Sequence, residues 1–385
     1  MLLRTGKEGG RRENRMKNRA KLILIGGFLG AGKTSLMNRA ASLLKQKGAA
    51  VGLITNDQAQ DLVDTALLRK ENHIVYEVSG SCFCCNFNGL ADAVLQIREA
   101  LNGGIVLAEP VGSCTDLSAT ILQPVKDRYA DVVDPAPLSV LADPQRLTGI
   151  LDGVYSTASY IVTKQFDEAD IILINKADLL TREQRQNLLE RTQKRWPQAE
   201  VRLISVKTGE GVESWLDKIL SSADAGTHLA EVDYDVYAAG EAAYGWLNGT
   251  WRISPDTVAE EKDARRFLEE LARRFEEQQI AIGHVKFLLT SGSLCWEGHL
   301  TGAADTGTFA VSGSNTLRTD GKEAEAEDGI CLTVNARAET DPMCLKRVTE
   351  DAYAAVFSEK DTIGVTLRCL IPGRPNPTYR YRASV

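Results

Sequence analysis

The chain has 385 residues, 43% of them hydrophobic and 25% charged, and a formal net charge of −7. That length suits two or three domains, and the composition is that of a globular chain able to bury a sizeable core. No apolar run approaches the ~20 residues of a membrane span, which excludes an integral membrane protein. An excess of 52 acidic over 45 basic residues argues against non-specific nucleic-acid binding.

The charge is uneven at the start, where residues 1–21 hold eight Lys or Arg against two Glu. No signal-type apolar stretch follows, so residues 1–20 read as a solvated basic leader, expected to be disordered, and Met16 is an equally good start. From Lys21 to Ser221 the chain repeats a short β-branched strand, a loop and an amphipathic segment. Strands are expected at Leu22–Ile25, Val51–Thr55, Ile74–Val78, Ile105–Ala108, Leu138–Leu141, Ile171–Ile174 and Val201–Ile204. Helical stretches fall between them, as at Lys33–Lys47, Leu90–Leu101 and Arg182–Arg195. Near-continuous apolar strands alternating with helices predict an α/β domain over residues 21–221, its mostly parallel sheet covered on both faces.

Residues 222–231 loosen into a linker. Beyond it, residues 232–385 predict a smaller α+β C-terminal domain. A mixed segment at Val232–Trp251 precedes a helix at Thr257–Gln278, and strands follow at Ile280–Leu289, Leu294–Leu300 and Ile330–Ala336. A second helix, Leu345–Phe357, leads to a last strand, Ile363–Leu370, while residues 301–328 read as a weak hairpin or loop. Two helices against a mainly antiparallel sheet suggest a ferredoxin-like arrangement.

The residues that carry chemistry all fall at the carboxyl ends of the predicted parallel strands, where such sheets bind ligands. From Gly27 the stretch Gly27-Phe28-Leu29-Gly30-Ala31-Gly32-Lys33-Thr34-Ser35 fits the P-loop spacing between a strand and a helix. Amides of Gly27, Gly30, Ala31, Gly32 and Ser35 would cradle phosphates, Lys33 would bridge β- and γ-phosphates, and the Thr34 hydroxyl would ligate Mg²⁺. Asn175-Lys176-Ala177-Asp178 is the pattern that reads guanine, the Asp178 carboxylate accepting from ring N1–H and the 2-amino group, donors that adenine lacks. Ser205, Val206 and Lys207 follow the next strand as a base-edge loop. Capping of a following helix is the plainer role for Asp178. GTP is therefore read over ATP. Glu109 and Gly112 stand where an acid can reach Mg²⁺ or its waters and an amide can reach the γ-phosphate. Asp57, Asp61 and Asp64 offer further carboxylates at the same rim, with helix capping as the alternative.

Eight cysteines are present, three of them within four positions, Cys82, Cys84 and Cys85. In a reducing cytoplasm such a cluster reads as a metal or redox site. Thiolates suit Zn²⁺ and Cu⁺, and a mixed shell admits Co²⁺ or Ni²⁺. Three ligands leave one position open, as exchange of metal requires. Burial as small apolar residues and a redox dithiol are the plainer alternatives. Cys114 lies near enough in the predicted order to supply a fourth ligand, but buried packing is the expectation there. His284 and His299 read as strand histidines satisfied locally, and Tyr234, Tyr237, Tyr244, Trp246 and Trp251 as core or interface aromatics.

Gly-Ala-Gly-Lys-Thr, Cys-x-Cys-Cys, Glu-Pro-Val-Gly and Asn-Lys-Ala-Asp in this order resemble the CobW-like metallochaperone GTPases, relatives of UreG and HypB among the SIMIBI-class P-loop proteins. The resemblance spans residues 21–221. It implies GTP hydrolysis coupled to metal delivery, expected to be slow because no activating arginine is identifiable, with Lys33, Asp57 and Glu109 in the catalytic machinery, Thr34 and Glu109 on Mg²⁺, and Zn²⁺ or Co²⁺ at Cys82, Cys84 and Cys85. It also implies a client metalloprotein as partner, often with a homodimeric carrier. The family's acidic loop maps onto Asn56-Asp57 and its later Asp onto Asp64. Two departures stand out: Ser81 replaces the Gly before the first cysteine, and Pro110 removes a backbone donor and a hydroxyl after Glu109. A GTPase servicing a corrinoid-dependent enzyme and a non-enzymatic nucleotide-dependent metal sensor are the rival readings.

Overall fold

In the computed structural model, residues 19–57, 74–154, 158–222, 224–254, 258–292, 294–302, 309–312 and 329–385 are described. The basic leader up to residue 18, together with Asp61 and Asp64, lies outside them.

The first sheet contains β1 (Ala20–Gly27), β2 (Val51–Asp57), β3 (Ile74–Ser79), β4 (Ile105–Ala108), β5 (Val133–Pro135), β6 (Ser139–Ala142), β7 (Ile171–Ile174) and β8 (Glu200–Leu203). They run in the order β3-β2-β4-β1-β6-β7-β8 with β5 paired to β1, and every ladder is parallel. Alternation along buried strands feeds two cores, as period-two side-chain geometry requires. On β1, Leu22 and Leu24 face one core while Ile23 and Ile25 face the other, and on β7 Ile172 and Ile174 oppose Ile171 and Leu173 in the same way. Helix Phe87–Leu101 closes the first face with Phe87, Leu90, Val94 and Ile97. Helices Lys33–Gln46 and Val212–Ser221 close the second with Leu36, Met37, Leu44, Trp215 and Ile219.

Seven of these strands were expected. The eighth, β5, is three residues ending in Pro135 and carries no readable period. It pairs with the first half of β1 (Ala20 opposite Val133), while β6 takes over the second half (Ile25 opposite Ser139).

The second sheet holds β9 (Gly245–Ile253), β10 (Ile282–Ser291), β11 (Leu294–Gly302), β12 (Phe309–Ser312), β13 (Ile330–Ala338) and β14 (Thr362–Leu370) in the order β12-β11-β10-β13-β9-β14. All its ladders are antiparallel. The four strands β14-β9-β13-β10, with helix Glu261–Glu277 after β9 and helix Pro342–Phe357 after β13, make a split βαβ sheet. That agrees with the expected arrangement, extended at one edge by β11 and β12. Phe267, Leu271 and Phe275 from one helix and Leu345, Val348 and Phe357 from the other pack on Trp251, Phe287, Leu332 and Val334. Within the mixed segment 232–251, Asp233 caps a helix, Tyr234–Ala242, ahead of β9. Tyr237, Tyr244 and Trp246 bury in the core of the first sheet.

Past β14 the chain takes no regular structure, because Pro372, Pro375 and Pro377 remove ladder donors. It runs back over the first sheet instead. Thr378 N–H donates to Cys84 O at 2.8 Å, Tyr381 N–H to Ala119 O at 3.0 Å, and Tyr379 meets Phe87 edge-on at 5.3 Å. The Arg380 guanidinium closes on Asp116 at 2.5 Å. Among the described residues no helix is long and apolar enough to cross a membrane.

Trp251 is 2% exposed and stacks on Tyr353 with ring centroids 5.2 Å apart. Trp251→Ala should destabilise the protein by about 3–5 kcal/mol, read as a lower denaturant midpoint. A shift under ~1 kcal/mol would mean that the second sheet does not unfold with the rest.

Candidate functional site

The turn from β1 into helix Lys33–Gln46 needs glycine twice. Gly27 has φ +130° and a Cβ there would meet Leu141 O at 2.6 Å, while Gly32 has φ +100° and a Cβ would strike Asn175 Nδ2 at 2.5 Å. Lys33 Nζ donates to Gly27 O at 2.9 Å across the loop, and the Thr34 hydroxyl donates to the Glu109 carboxylate at 3.0 and 3.1 Å. Thr34 and Glu109 thus form a pair of hard oxygen donors beside Lys33, a set that suits Mg²⁺. Ser35 is exposed on the first helical turn.

The expected base-reading segments come together. Asn175 Nδ2 donates to Ala31 O at 2.9 Å and Asn175 Oδ1 accepts Val206 N–H at 3.1 Å, so one side chain ties the P-loop to the base-edge loop. Asp178 accepts the Ser205 hydroxyl at 2.6 Å. It caps nothing, since helix Arg182–Arg195 is capped by Thr181 and Gln184. Lys176, at φ +58°, pairs with Asp143 at 2.7 Å, and Arg39 holds the carbonyls of Val206 and Lys207. Neither Asp143 nor Arg39 carries a motif that a single sequence exposes.

The Glu109–Gly112 loop lies directly on the P-loop. A Cβ on Gly112 would come within 2.7 Å of the Leu29 side chain and 3.0 Å of Leu29 N. Gln165, fully buried, donates to Gly112 O at 3.0 Å and to Cys114 O at 2.8 Å, fixing the next residues.

At Cys82-Phe83-Cys84-Cys85 the chain makes a turn, with Cys85 and Asn86 N–H both donating to Cys82 O, before Asn86 caps helix Phe87–Leu101. A helix N-terminus favours thiolate. Cys82 Sγ lies 2.9 Å from Cys84 Sγ and 3.3 Å from Cys85 Sγ, and Cys84 Sγ lies 3.8 Å from Cys85 Sγ. Cys114 also joins the cluster: the sulfurs of Cys82, Cys84 and Cys114 all lie within 4.8 Å of one another. Packing was the expectation for Cys114, and it is indeed buried, but its sulfur lies beside those of Cys82 and Cys84. Two strand ends, not one turn, supply the thiols. Hydrogen bonds from Cys114, Cys84 and Cys85 hold the Cys82 thiol far below its ordinary value. The donors move the other way: Cys114 and Cys84 are raised, and Cys85 is pushed up to about 11 by its bond to Cys82.

Asn56 sets this turn in place. Its Nδ2 donates to Val78 O at 2.7 Å and Ser81 O at 2.8 Å, and its Oδ1 accepts Phe83 N–H at 2.9 Å. Sequence reasoning placed Asn56 in an acidic rim and missed this bracket. The Asp57 backbone ends β2 at the same rim, and the placement of its side chain lies outside the described residues.

The second sheet reaches the site as well. Lys286 on β10, 9% exposed, donates to the Thr34 hydroxyl at 3.4 Å. Its neighbour His284 stacks on His299 at 5.9 Å, and burial, then Lys286, His299, Lys33 and Lys176, drive its imidazole well below the usual value. It is therefore neutral at pH 7 and sits near the Lys33, Lys176 and Lys286 ammonium groups. Only its strand position was legible beforehand.

Glu168, at the end of helix Ser159–Asp167, accepts Ser118 N–H at 2.7 Å and the Thr115 hydroxyl at 3.2 Å, bracing the segment after Cys114. Burial, then the Asp116 charge, pushes its carboxyl up to about 8 from an ordinary 4.5. Between those values the folded state holds a proton that the unfolded chain has released, so stability falls as pH rises from about 4.5 to about 8. Glu168→Gln should flatten the fall in denaturation midpoint over that window. Equal slopes in variant and wild type would mean that Glu168 is ionised in the folded state.

Residues 21–202 match the family described as CobW/HypB/UreG, nucleotide-binding domain. The zinc chaperone YjiA of Escherichia coli is 28% identical over 178 residues, covering 42% of this chain and 51% of that protein. The urease accessory protein UreG of Aliarcobacter butzleri is 35% identical over 126 residues, 30% of this chain and 61% of that one. The chain thus spans about half the length of the curated relatives it matches. Among solved structures, HypB from Helicobacter pylori in complex with nickel aligns over 56% of this chain and 92% of its own, with a TM-score of 0.39 at 21% identity.

Proposed function

We propose, for a chain whose residues 21–202 belong to the CobW/HypB/UreG family of nucleotide-binding domains, that it is a GTP-hydrolysing metal carrier. It takes Zn²⁺ onto its buried sulfur cluster and releases it to a client metalloprotein when the nucleotide state changes. The observation that carries this reading is the shared loop. Glu109, on the Thr34 hydroxyl, and Cys114, in the sulfur cluster, are five residues apart on one segment pressed against the P-loop.

In this reading the amides of Gly27, Gly30, Ala31, Gly32 and Ser35 wrap the phosphates and Lys33 neutralises β- and γ-oxygens. Thr34 and Glu109 hold Mg²⁺, which when bound supplies charge compensation on the phosphates. Asn175 and Lys176 frame the base, Asp178 with Ser205, Val206 and Lys207 reads its guanine edge, and Gly112 offers its amide to the γ-phosphate. Asp57 orients water from the end of β2. Thiolate softness favours Zn²⁺, and Co²⁺ takes the same donors as a tetrahedral probe or cargo. Eight free cysteines fit a reducing cytoplasm. No described feature favours a corrinoid role.

Asp178→Asn should lose most of the preference for GTP over ATP, measured by competition binding, because the carboxylate alone matches two guanine donors. Equal affinity of the wild type for both nucleotides would overturn the guanine assignment.

GTP with Mg²⁺ should tighten Zn²⁺ binding relative to GDP by 5- to 150-fold, roughly 1–3 kcal/mol of coupling, and Zn²⁺ should tighten GTP binding by the same factor. Calorimetric titration of Zn²⁺ with each nucleotide and with none checks this. Identical affinities would leave a passive metal site. Coupling without turnover would favour a nucleotide-dependent metal sensor.

A further inference from the structure

The three sulfurs of Cys82, Cys84 and Cys85 come from one turn, and a four-residue turn presents its side chains to one side of an ion. A tetrahedral thiolate site with Zn–S near 2.3 Å needs sulfurs roughly 3.8 Å apart on every edge. The observed separations of 2.9, 3.3 and 3.8 Å within the turn lie within about an ångström of that edge. Cys114 approaches from the strand end next to β2, its sulfur within 4.8 Å of Cys82 and Cys84. It is 1% exposed, and its backbone is pinned by N–H to Val111 O at 2.9 Å and by Gln165 on its carbonyl. A cysteine buried only for packing would be expected among apolar carbons. This one is aimed at sulfur.

A site of four thiolates around Zn²⁺ carries a net charge of −2 and calls for N–H donors around it. Asn376 N–H, from the segment after β14, meets Cys85 Sγ at 3.3 Å, and Thr378 holds the carbonyls of Cys84 and Cys85. Cys85 is the partly exposed member, so the segment 376–378 lies at the mouth of the site.

We propose that Cys114 is the fourth sulfur ligand of the metal cargo, closing a four-thiolate site with Cys82, Cys84 and Cys85, and that nucleotide acts on the metal through this one ligand. The proposal rests on the reading of the cluster as the cargo site. Glu109 and Gly112 face the nucleotide, and Cys114 follows two residues later. A loop shift of an ångström at Glu109 is therefore enough to break one metal–sulfur bond and leave a three-sulfur site from which a client ligand can take the metal. Four thiolates hold the cargo and three release it.

The test uses Co²⁺ alone as the probe, bound to the full chain, with the sulfur-to-cobalt charge-transfer band read against GDP and a non-hydrolysable GTP analogue. Wild type should show four-thiolate intensity in one nucleotide state and about a quarter less in the other. Cys114→Ser should show the lower intensity in both. A variant with wild-type intensity in both states would overturn the fourth ligand, and a variant that still changes with nucleotide would overturn its role as the link. Should the variant not fold, X-ray absorption on the Zn²⁺-loaded wild type decides. Four sulfur scatterers support the proposal, and three with one light atom in every nucleotide state overturn it. Absence of any charge-transfer band in the wild type would instead remove the cargo reading itself.

Discussion

The segment leaving β4 has no slack. Gly112 touches Leu29 so closely that a Cβ would collide, Glu109 is tied to the Thr34 hydroxyl, and Gln165 grips the carbonyls of Gly112 and Cys114. Because β4 lies between β2 and β1, this loop opens beside both the P-loop and the turn that follows β3. Glu109 on the Thr34 hydroxyl and Cys114 in the sulfur cluster are thus the two ends of one tightly held segment. Close-packed loops of this kind take up discrete arrangements rather than deforming smoothly, which is the physical basis for a switch.

The electrostatics of the two sites are opposite in sign. Around the P-loop, Lys33, Lys176 and Lys286 lie near a neutral His284, with Lys176 paired to Asp143. Around the sulfurs the Cys82 thiol is held low by its sulfur neighbours, backed by Glu241, which burial pushes up to about 8 and which accepts the Ser113 hydroxyl at 2.6 Å. A buried neutral carboxyl adds no second negative charge there, consistent with the desolvation cost of unpaired ions.

Two segments distant in sequence finish the architecture. β10 brings Lys286 to Thr34 across 252 positions, and the chain after β14 returns to lie on the cysteine turn. The latter is anchored at Asp116, wholly buried and paired with Arg380 and the Tyr234 hydroxyl. Asp116 is buried while a third of the Arg380 side chain is exposed, so losing the guanidinium would leave a buried carboxylate uncompensated; this anchor holds the segment on the turn while Asn376 and Thr378, nearer its start, contact the cysteines.

Much of this was legible in the chain alone. Apolar period-two strands, the glycines and Lys33 of the P-loop spacing, the Asn175–Asp178 tetrapeptide and the clustered Cys82, Cys84 and Cys85 are local patterns, readable because their residues lie close together along one loop. Even the split βαβ order of the second sheet followed from its helix and strand sequence. What stayed hidden depends on contacts between strand ends. For Cys114 the predicted order offered closeness to the cluster but not the contact itself, nothing near Lys286 points to Thr34, and Asn56 holds a turn twenty-five residues away. Local sequence determined which groups exist and on which element each sits. Only the lateral order of the parallel strands, β3-β2-β4-β1, decided which of them meet, since strands adjacent in a parallel sheet are joined by crossovers whose length carries no record of their neighbours.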